Sequence, residues 1–373
     1  MKFRQITCWS FAGLLCISAS SVFGSENSAK PVTPNPSSQA KALLELVYSI
    51  SGKYILTGQH NYPNTKDAST LDAAEYSGKT PAVYSQDWGF AKDGDKDAAS
   101  ARPDIVKECI RQHKKGSIIT ICWHAVPPTA DEPVIFRPKR GEPKLENLAT
   151  VQGRLTDEQF KDVLTEGTQL YNHWCEQVDA IAVYLKQLRD ANVPVLWRPY
   201  HEMNGDWFWW GGRRGIQGTV ALYRQMFDRL VNHHKLNNLI WVWSVDRPER
   251  EDRQFIDYFP GGGYYDIASL DCYGEFKQSY YDDLRKIAAG KPIVLGEVGI
   301  PPTSEILEKQ PKWAMYVIWA EMVRRTEKQQ LQTLVNNPRV LSLDDPAYIE
   351  VTAPYRAACG LPLLKNTKEK PTQ

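Results

Sequence analysis

The stretch VLWRPYHEMNGDWFWWGG, residues 195–212, decides the fold that we expect for this chain. It begins with an apolar run and ends in polar and aromatic residues, which is typical of a buried strand whose carboxyl end opens into a site. Alternate side chains of an extended strand share a face, so Arg198, Tyr200 and Glu202 are predicted to point the same way. A cation and a phenol beside one carboxylic acid can set its pKa, although such groupings are also common as structural ion pairs.

Four large aromatic rings follow this carboxylic acid, at Trp207, Phe208, Trp209 and Trp210. Tryptophan is costly to pack densely in a core, because its indole N–H needs a partner, whereas an open indole face can stack on a sugar ring. We therefore interpret the stretch as part of a carbohydrate site rather than as a buried Arg–Glu pair under an aromatic cap.

The overall composition is that of a soluble globular protein, with 373 residues, 42% hydrophobic and 24% charged. The 45 Lys and Arg residues nearly balance the 44 Asp and Glu residues. A nucleic-acid or membrane-surface partner would favour a basic excess, so we expect neither nucleic-acid binding nor membrane insertion. A neutral ligand fits this charge balance better.

The N-terminus has the pattern of a targeting segment. Two basic residues precede an apolar stretch at 11–17, and the triplet at 22–24 is acceptable to a signal peptidase. We predict a signal peptide at residues 1–24 and an exported protein, secreted or periplasmic. Lipid anchoring through Cys16 is a weaker alternative, because leucines stand directly before it where small residues are wanted.

The mature chain is predicted to be a single α/β domain. A flexible Ser- and Pro-rich leader at 25–39 precedes a catalytic domain at 40–363, and a polar tail at 364–373 ends the chain. Eight apolar strand candidates lie within the domain, at 54–59, 81–87, 117–124, 195–202, 239–245, 267–273, 292–297 and 314–320. Helical patterns lie between most of them, at 104–115, 157–192, 219–235 and 281–289.

This alternation favours a closed (β/α)8 TIM barrel over a doubly wound sheet. Nearly every strand ends in polar or aromatic side chains, and in a barrel those ends meet at one rim, where active sites lie. The long Pro-rich segment at 126–153 is expected to form a loop of this rim.

A second carboxylate, Glu297, ends the apolar run at 293–295. Gly296 before it leaves room for a close approach of neighbouring groups. A lone Glu after a strand often caps the next segment, but here it would share the rim with Glu202. Glycoside hydrolysis uses two carboxyl groups, one protonated to donate to the leaving oxygen and one ionised to attack the anomeric carbon.

Five motifs together resemble glycoside hydrolase family 26, which is typified by endo-β-1,4-mannanases. They are RPYHEMNGDWFWWGG, IVLGEVG, TGQH, WVWSVD and LDCYG, and the resemblance spans roughly residues 40–320. It implies a barrel with the acid/base after the fourth strand and the nucleophile after the seventh. Those positions are occupied here by Glu202 and Glu297.

The resemblance also implies roles for further residues. His201 and Trp207 would contact the sugar near the cleavage point, and Tyr273 would hydrogen-bond the nucleophile. Positions similar to other substrate-binding residues of the family are held by His124, Asp271 and Trp319. Trp313 is an alternative to Trp319 as the stacking tryptophan of the last strand.

The function expected from these features is that of a secreted retaining endo-β-1,4-mannanase, acting on mannan, glucomannan or galactomannan by double displacement. The carboxyl groups of Glu202 and Glu297 should then stand about 5 to 5.5 Å apart. The pKa of Glu202 should be raised, while Glu297, close to Arg198 and Tyr273, should stay ionised. Open alternatives are an exo mannobiohydrolase, a mixed-linkage β-glucanase, a β-1,3-xylanase, or a glycan-binding barrel without catalysis.

No metal and no other cofactor is expected. His60, His124 and His201 fall on separate strands without the spacing of a metal motif. The acidic segment at 93–97 resembles a calcium loop, but Ala98 stands where the loop needs glycine and no Glu closes it.

Overall fold

The computed structural model describes residues 29–139 and 145–364. The predicted signal peptide, the start of the leader and nearly all of the polar tail lie outside the described residues. Eight parallel strands form the barrel: Ile55–His60 (β1), Val83–Asp87 (β2), Ile118–Trp123 (β3), Val195–Pro199 (β4), Leu239–Asp246 (β5), Ile267–Cys272 (β6), Ile293–Val298 (β7) and Trp313–Ile318 (β8).

The barrel is closed by pairing between its first and last strands. Each strand pairs with the next in sequence from β1 to β8, and β8 pairs with β1 through Leu56 and Met315. A two-residue strand, Val340–Leu341 (β9), adds to β1 beside this seam. The eight predicted strands and the TIM-barrel fold are therefore confirmed, with differences of up to three residues at strand ends.

Helices surround the barrel in the described part of the chain. They are Ser38–Ile50 (α1), Ala68–Ser77 (α2), Arg102–Lys115 (α3), Asp157–Val163 (α4), Gln169–Asp190 (α5), Thr219–Phe227 (α6), Gln278–Ala288 (α7), Ser304–Lys309 (α8), Lys328–Val335 (α9) and Pro346–Ala358 (α10). A short π-helix, Asp228–His233, continues α6. No helix within 29–139 and 145–364 is long and apolar enough to cross a membrane.

The single helix predicted over 157–192 is wrong, because two helices occupy this span. Thr156 caps α4 through a capping box with Gln159, and Thr168 caps α5 by accepting the N–H of Tyr171. Gly167 lies between them with φ +87°, a conformation that glycine adopts without strain. Two N-cap signals in one periodic stretch therefore mark two helix starts.

The N-terminal end of the barrel is covered by α1 and α10. Their apolar side chains share one buried cluster with inward residues of the strands, such as Leu56, Leu196 and Val294. Residues 29–37 of the leader that was predicted to be flexible also pack against this end of the barrel. Val32 donates its N–H to Asp266 at 2.7 Å, and Thr33 is buried. The carboxyl ends of the strands at the opposite end are thus left for a site.

Candidate active site

The end of β4 bends sharply and aims Glu202 into the rim. The strand stops at Pro199, and both Tyr200 and Glu202 have left-handed backbone conformations, with φ of +49° and +50°. The prediction that Arg198, Tyr200 and Glu202 share one face is therefore wrong. Tyr200 instead turns into the core, where its hydroxyl accepts the indole N–H of Trp174 at 2.8 Å. Such backbone strain is typical of functional positions.

Glu202 lies in a largely apolar and acidic environment. It is 8% exposed, and its Oε2 accepts the indole N–H of Trp207 at 2.6 Å. Burial raises the pKa of Glu202 well above its usual range, and the carboxylates of Glu297 and Asp271 raise it further. The hydrogen bond from Trp207 opposes this rise. The predicted direction of the Glu202 pKa is confirmed.

The aromatic run after Glu202 divides between core and site. Trp209 and Trp210 are fully buried, and their N–H groups donate to backbone carbonyls of Ala125 and His201. Of the four rings, Trp207 and Phe208 line the cleft. The two buried indoles instead support the loop that carries Trp207.

Glu297 is held by a cation and a phenol. Arg198 donates from Nη2 to its Oε1, and Tyr273 donates its hydroxyl to Oε2 at 2.7 Å. Arg198 also pairs with Asp271 at 2.7 Å, and in the described part of the chain its guanidinium makes no hydrogen bond or ion pair with Glu202. These two donors, one on each oxygen, fix the orientation of the Glu297 carboxyl group. The placement predicted for Arg198 and Tyr273 is thus observed.

Gly296 makes this grouping possible. The register between β6 and β7 shifts after Leu270, so that Asp271 stands opposite Glu297. A Cβ at position 296 would come within 2.3 Å of Ser269 Oγ and 2.6 Å of Asp271 Oδ1. Glycine at a bulge therefore allows two carboxylates and Arg198 to meet, as the sequence suggested.

Three carboxyl groups converge at the floor of the cleft. One oxygen of each of Glu202, Asp271 and Glu297 lies within 4.8 Å of the other two. Their charges are unequally compensated, because Arg198 contacts only Asp271 and Glu297. Like charges this close disfavour full ionisation, and burial with the charge of Glu297 raises the pKa values of both Glu202 and Asp271. Because the guanidinium already occupies this cluster, a metal ion there would have to compete with a buried cation.

Two histidines border this cluster on the side of Glu297. His124 and His201 face each other through their Nε2 atoms at 3.2 Å, and His201 Nε2 is 3.8 Å from Oε1 of Glu297. Burial lowers the pKa of His201 well below its usual range, and the nearby His124 and Arg198 lower it further. His201 is therefore neutral beside Glu297.

The ambiguity in the last strand is resolved in favour of Trp319. This side chain follows β8, lines the cleft, and stacks on His60 with ring centroids 3.8 Å apart. Trp313 begins β8 and is buried, with its N–H on Gln310. Only Trp319 can therefore face a ligand in the cleft.

The cleft has a volume of about 470 Å³ and contains residues that the sequence reasoning did not single out. These come from loops rather than strand ends: Tyr62, Phe90, Phe136, Arg137, Gln152, Glu321 and Met322. The segment at 126–153 supplies three of them, which confirms it as a rim loop. Asp93 and Asp95 also line the cleft. Loop side chains carry no periodic signal, so only motif matching could have indicated them.

A closed barrel with paired carboxylates at its carboxyl rim is an arrangement used by glycoside hydrolases. The model of glycosyl hydrolase family 26 matches residues 32–345, and the chain belongs to this family. It is 32% identical to a mannan endo-1,4-beta-mannosidase of Thermothelomyces thermophilus over 84% of this chain. The chain spans only 62% of the length of that relative.

Two solved structures support the same relationship. The structure of GH26A from Muricauda sp. is 39% identical, with a TM-score of 0.75, and the match covers 84% of this chain and 98% of that chain. The GH26-CBM35 beta-(1,4)-mannanase of Podospora anserina is 28% identical, with a TM-score of 0.67, over 85% of this chain and 68% of that chain.

Proposed function

We propose that this chain is a retaining endo-β-1,4-mannanase with Glu202 as acid/base and Glu297 as nucleophile. The observation that carries the proposal is the close approach of these two carboxyl groups in opposite electrostatic environments. Their oxygens lie within 4.8 Å, which suits the separation of about 5 to 5.5 Å used for retention rather than the 6.5 to 9.5 Å that leaves room for a water.

The first step would form a covalent glycosyl-enzyme. Oε1 or Oε2 of Glu297 attacks the anomeric carbon while Glu202 gives its proton to the departing glycosidic oxygen. Arg198 and Tyr273 hold the Glu297 carboxyl group in the orientation for this attack. Burial raises the pKa of Glu202, which favours its protonated form. In the second step, Glu202 removes a proton from water, which displaces Glu297 and restores both residues.

The sugar would lie between Trp207 and Trp319, both partly exposed in the cleft. His124 and His201 complete the wall beside Glu297, and the buried Asp271 pairs with Arg198 behind it. A β-mannan substrate is supported by the relatives of this chain, which include a mannan endo-1,4-beta-mannosidase and a beta-(1,4)-mannanase. Export to the periplasm or the exterior, where such polymers are found, is proposed from the N-terminal targeting pattern alone.

Product analysis of the purified protein tests the proposal. Mannan, glucomannan, lichenan and β-1,3-xylan should be incubated separately, and early products should be followed by chromatography and by NMR of the anomeric proton. We expect mixed oligosaccharides from mannan and glucomannan, with the first-formed anomer β.

Each other outcome has a distinct meaning. Mannobiose alone from the first time point would indicate exo action, and cleavage restricted to lichenan or β-1,3-xylan would reassign the specificity. A first-formed α anomer would refute retention. Binding of mannan without cleavage of any substrate would favour a glycan-binding barrel.

A further inference from the structure

Asp87 ends β2 and is the most heavily hydrogen-bonded carboxylate near the site. It is 2% exposed. Its Oδ1 accepts the backbone N–H of Gly89 at 2.8 Å and that of His124 at 3.1 Å, and its Oδ2 contacts Nδ1 of His124. Although burial raises the pKa of Asp87, the side-chain and backbone hydrogen bonds that it accepts from His124 lower this pKa. An ionised carboxylate only accepts, so Nδ1 of His124 carries a hydrogen.

The contact between the two histidines then fixes the other protons. His124 Nε2 and His201 Nε2 are 3.2 Å apart, and only one hydrogen can lie between them. If His124 were an imidazolium, its Nε2 would donate and His201 would carry its hydrogen on Nδ1. That atom is buried and has no hydrogen-bond partner among the described residues. A buried N–H without a partner is unfavourable, which disfavours this arrangement.

We propose that Asp87 is a positioning residue that fixes the tautomers of His124 and His201, with hydrogens on Nδ1 of His124 and Nε2 of His201. The catalytic consequence of this arrangement rests on the proposed function. The N–H edge of His201, not a lone pair, lies 3.8 Å from Oε1 of Glu297. The hydrogen itself is donated to Nε2 of His124, and the partial positive charge of that edge faces the carboxyl group of Glu297.

The substitution Asp87→Asn tests this inference, because the two backbone N–H groups fix the direction of the amide. They retain the side-chain oxygen at the Oδ1 position, so the NH₂ group faces His124 Nδ1 and forces that atom to accept. Both tautomers then reverse. We expect kcat to fall on the order of 10²-fold, with a smaller change in KM, since the ring positions are kept while the charge facing Glu297 changes.

The direct readout is ¹⁵N NMR of histidine-labelled protein without ligand, which reports which ring nitrogen carries the hydrogen. Wild type should show Nδ1–H on His124 and Nε2–H on His201, and Asp87→Asn should show the reverse. Signals are assigned from His124→Gln and His201→Gln. Asp266→Asn is the matched control, because Asp266 is equally buried and accepts two backbone N–H groups at the opposite end of the barrel. It should lower Tm but leave the tautomers and kcat unchanged.

Wild-type His124 with its hydrogen on Nε2 would overturn the inference even if Asp87→Asn fails to fold. A folded Asp87→Asn protein with wild-type tautomers or wild-type kcat would also overturn it. A wild-type protein that shows the expected tautomers but cleaves no glycoside would instead refute the proposed function, and with it the catalytic consequence of Asp87.

Discussion

The indole N–H of Trp207 donates to Oε2 of Glu202 at 2.6 Å. The ring is held in this position from two sides. The guanidinium of Arg253 lies 4.9 Å from its centre, and a Cβ at Gly205 would come within 2.3 Å of two ring atoms. Arg253 is in turn paired with Asp206 at 2.7 Å. The ring therefore both lines the cleft and controls the carboxyl group that we propose as the acid.

Trp207→Phe should shift the alkaline limb of the kcat/KM profile to higher pH. The substitution keeps an aromatic ring but removes the hydrogen bond that lowers the pKa of Glu202. An acid with a higher pKa stays protonated to higher pH, so activity persists further into the alkaline range. The profile is measured with mannan at substrate concentrations below KM.

Trp174→Phe is the control. It also loses an indole hydrogen bond, to Tyr200, and should destabilise the fold without moving the alkaline limb of the profile. A limb that stays in place or moves to lower pH in Trp207→Phe would contradict this role.

Gly205→Ala should impair catalysis by displacing Trp207. The new methyl group would overlap the indole, which has to move away from Glu202 or force the backbone to shift. Overpacking of this kind costs roughly 1 to 3 kcal/mol of stability, and a misplaced acid lowers kcat by on the order of 10²-fold. Thermal melts and kcat on mannan measure the two effects. Gly262→Ala is the control, since no atom lies within 4 Å of a Cβ there. Equal kcat in the two variants would show that the fit under Trp207 is unimportant.

The barrel and its two carboxylates could be predicted because they follow from strong local patterns. Short apolar runs that end in polar residues mark the strands, and Glu202 and Glu297 directly follow such runs. The closed barrel then brings strand ends together whatever the details of the loops. Gly296 was informative for the same reason, because its effect depends only on the neighbouring strand.

Other parts of the site depend on backbone conformations that periodicity does not encode. Tyr200 and Glu202 adopt positive φ, so alternation fails just after Pro199. The fates of Trp209 and Trp210 depend on how the following loop folds back onto Ala125 and His201. The contact of Trp209 with Ala125 joins residues that are distant in sequence. Composition alone cannot distinguish which of the four adjacent aromatic rings are buried.

Glu202→Ala and Glu297→Ala should fail in different ways. Without Glu202, an activated aryl mannoside should still form the glycosyl-enzyme, because its leaving group needs no proton, while mannan should hardly react. The intermediate should accumulate, and azide should restore turnover with a β-glycosyl azide as product. Mass spectrometry of the intact protein detects the adduct, and NMR identifies the anomer.

Without Glu297, no covalent intermediate can form, so azide can act only by direct attack and should give the α-glycosyl azide. The two variants thus serve as controls for each other. If the α product came from Glu202→Ala and the β product from Glu297→Ala, the proposed roles would be reversed. Rescue of neither variant by azide, with normal folding, would count against double displacement.

Asp97 should make stability fall as pH rises through the neutral range. It lies in the loop that carries Phe90, next to Glu132, which is paired with Arg102. Burial raises the pKa of Asp97 to about 7, and the charge of Glu132 adds to the rise. Because the folded pKa exceeds the unfolded value of about 3.9, the folded state binds the proton more tightly. The stabilisation is complete below the unfolded pKa and is lost as pH rises through about 7.

Thermal melts of wild type and Asp97→Asn between about pH 5 and pH 8 measure this loss. The difference in Tm between Asp97→Asn and wild type should increase in favour of the variant as pH rises. The difference in Tm between Asp95→Asn, at an exposed position, and wild type should stay constant over the same range. Parallel curves for Asp97→Asn would show that the Asp97 carboxyl group titrates normally in the folded protein.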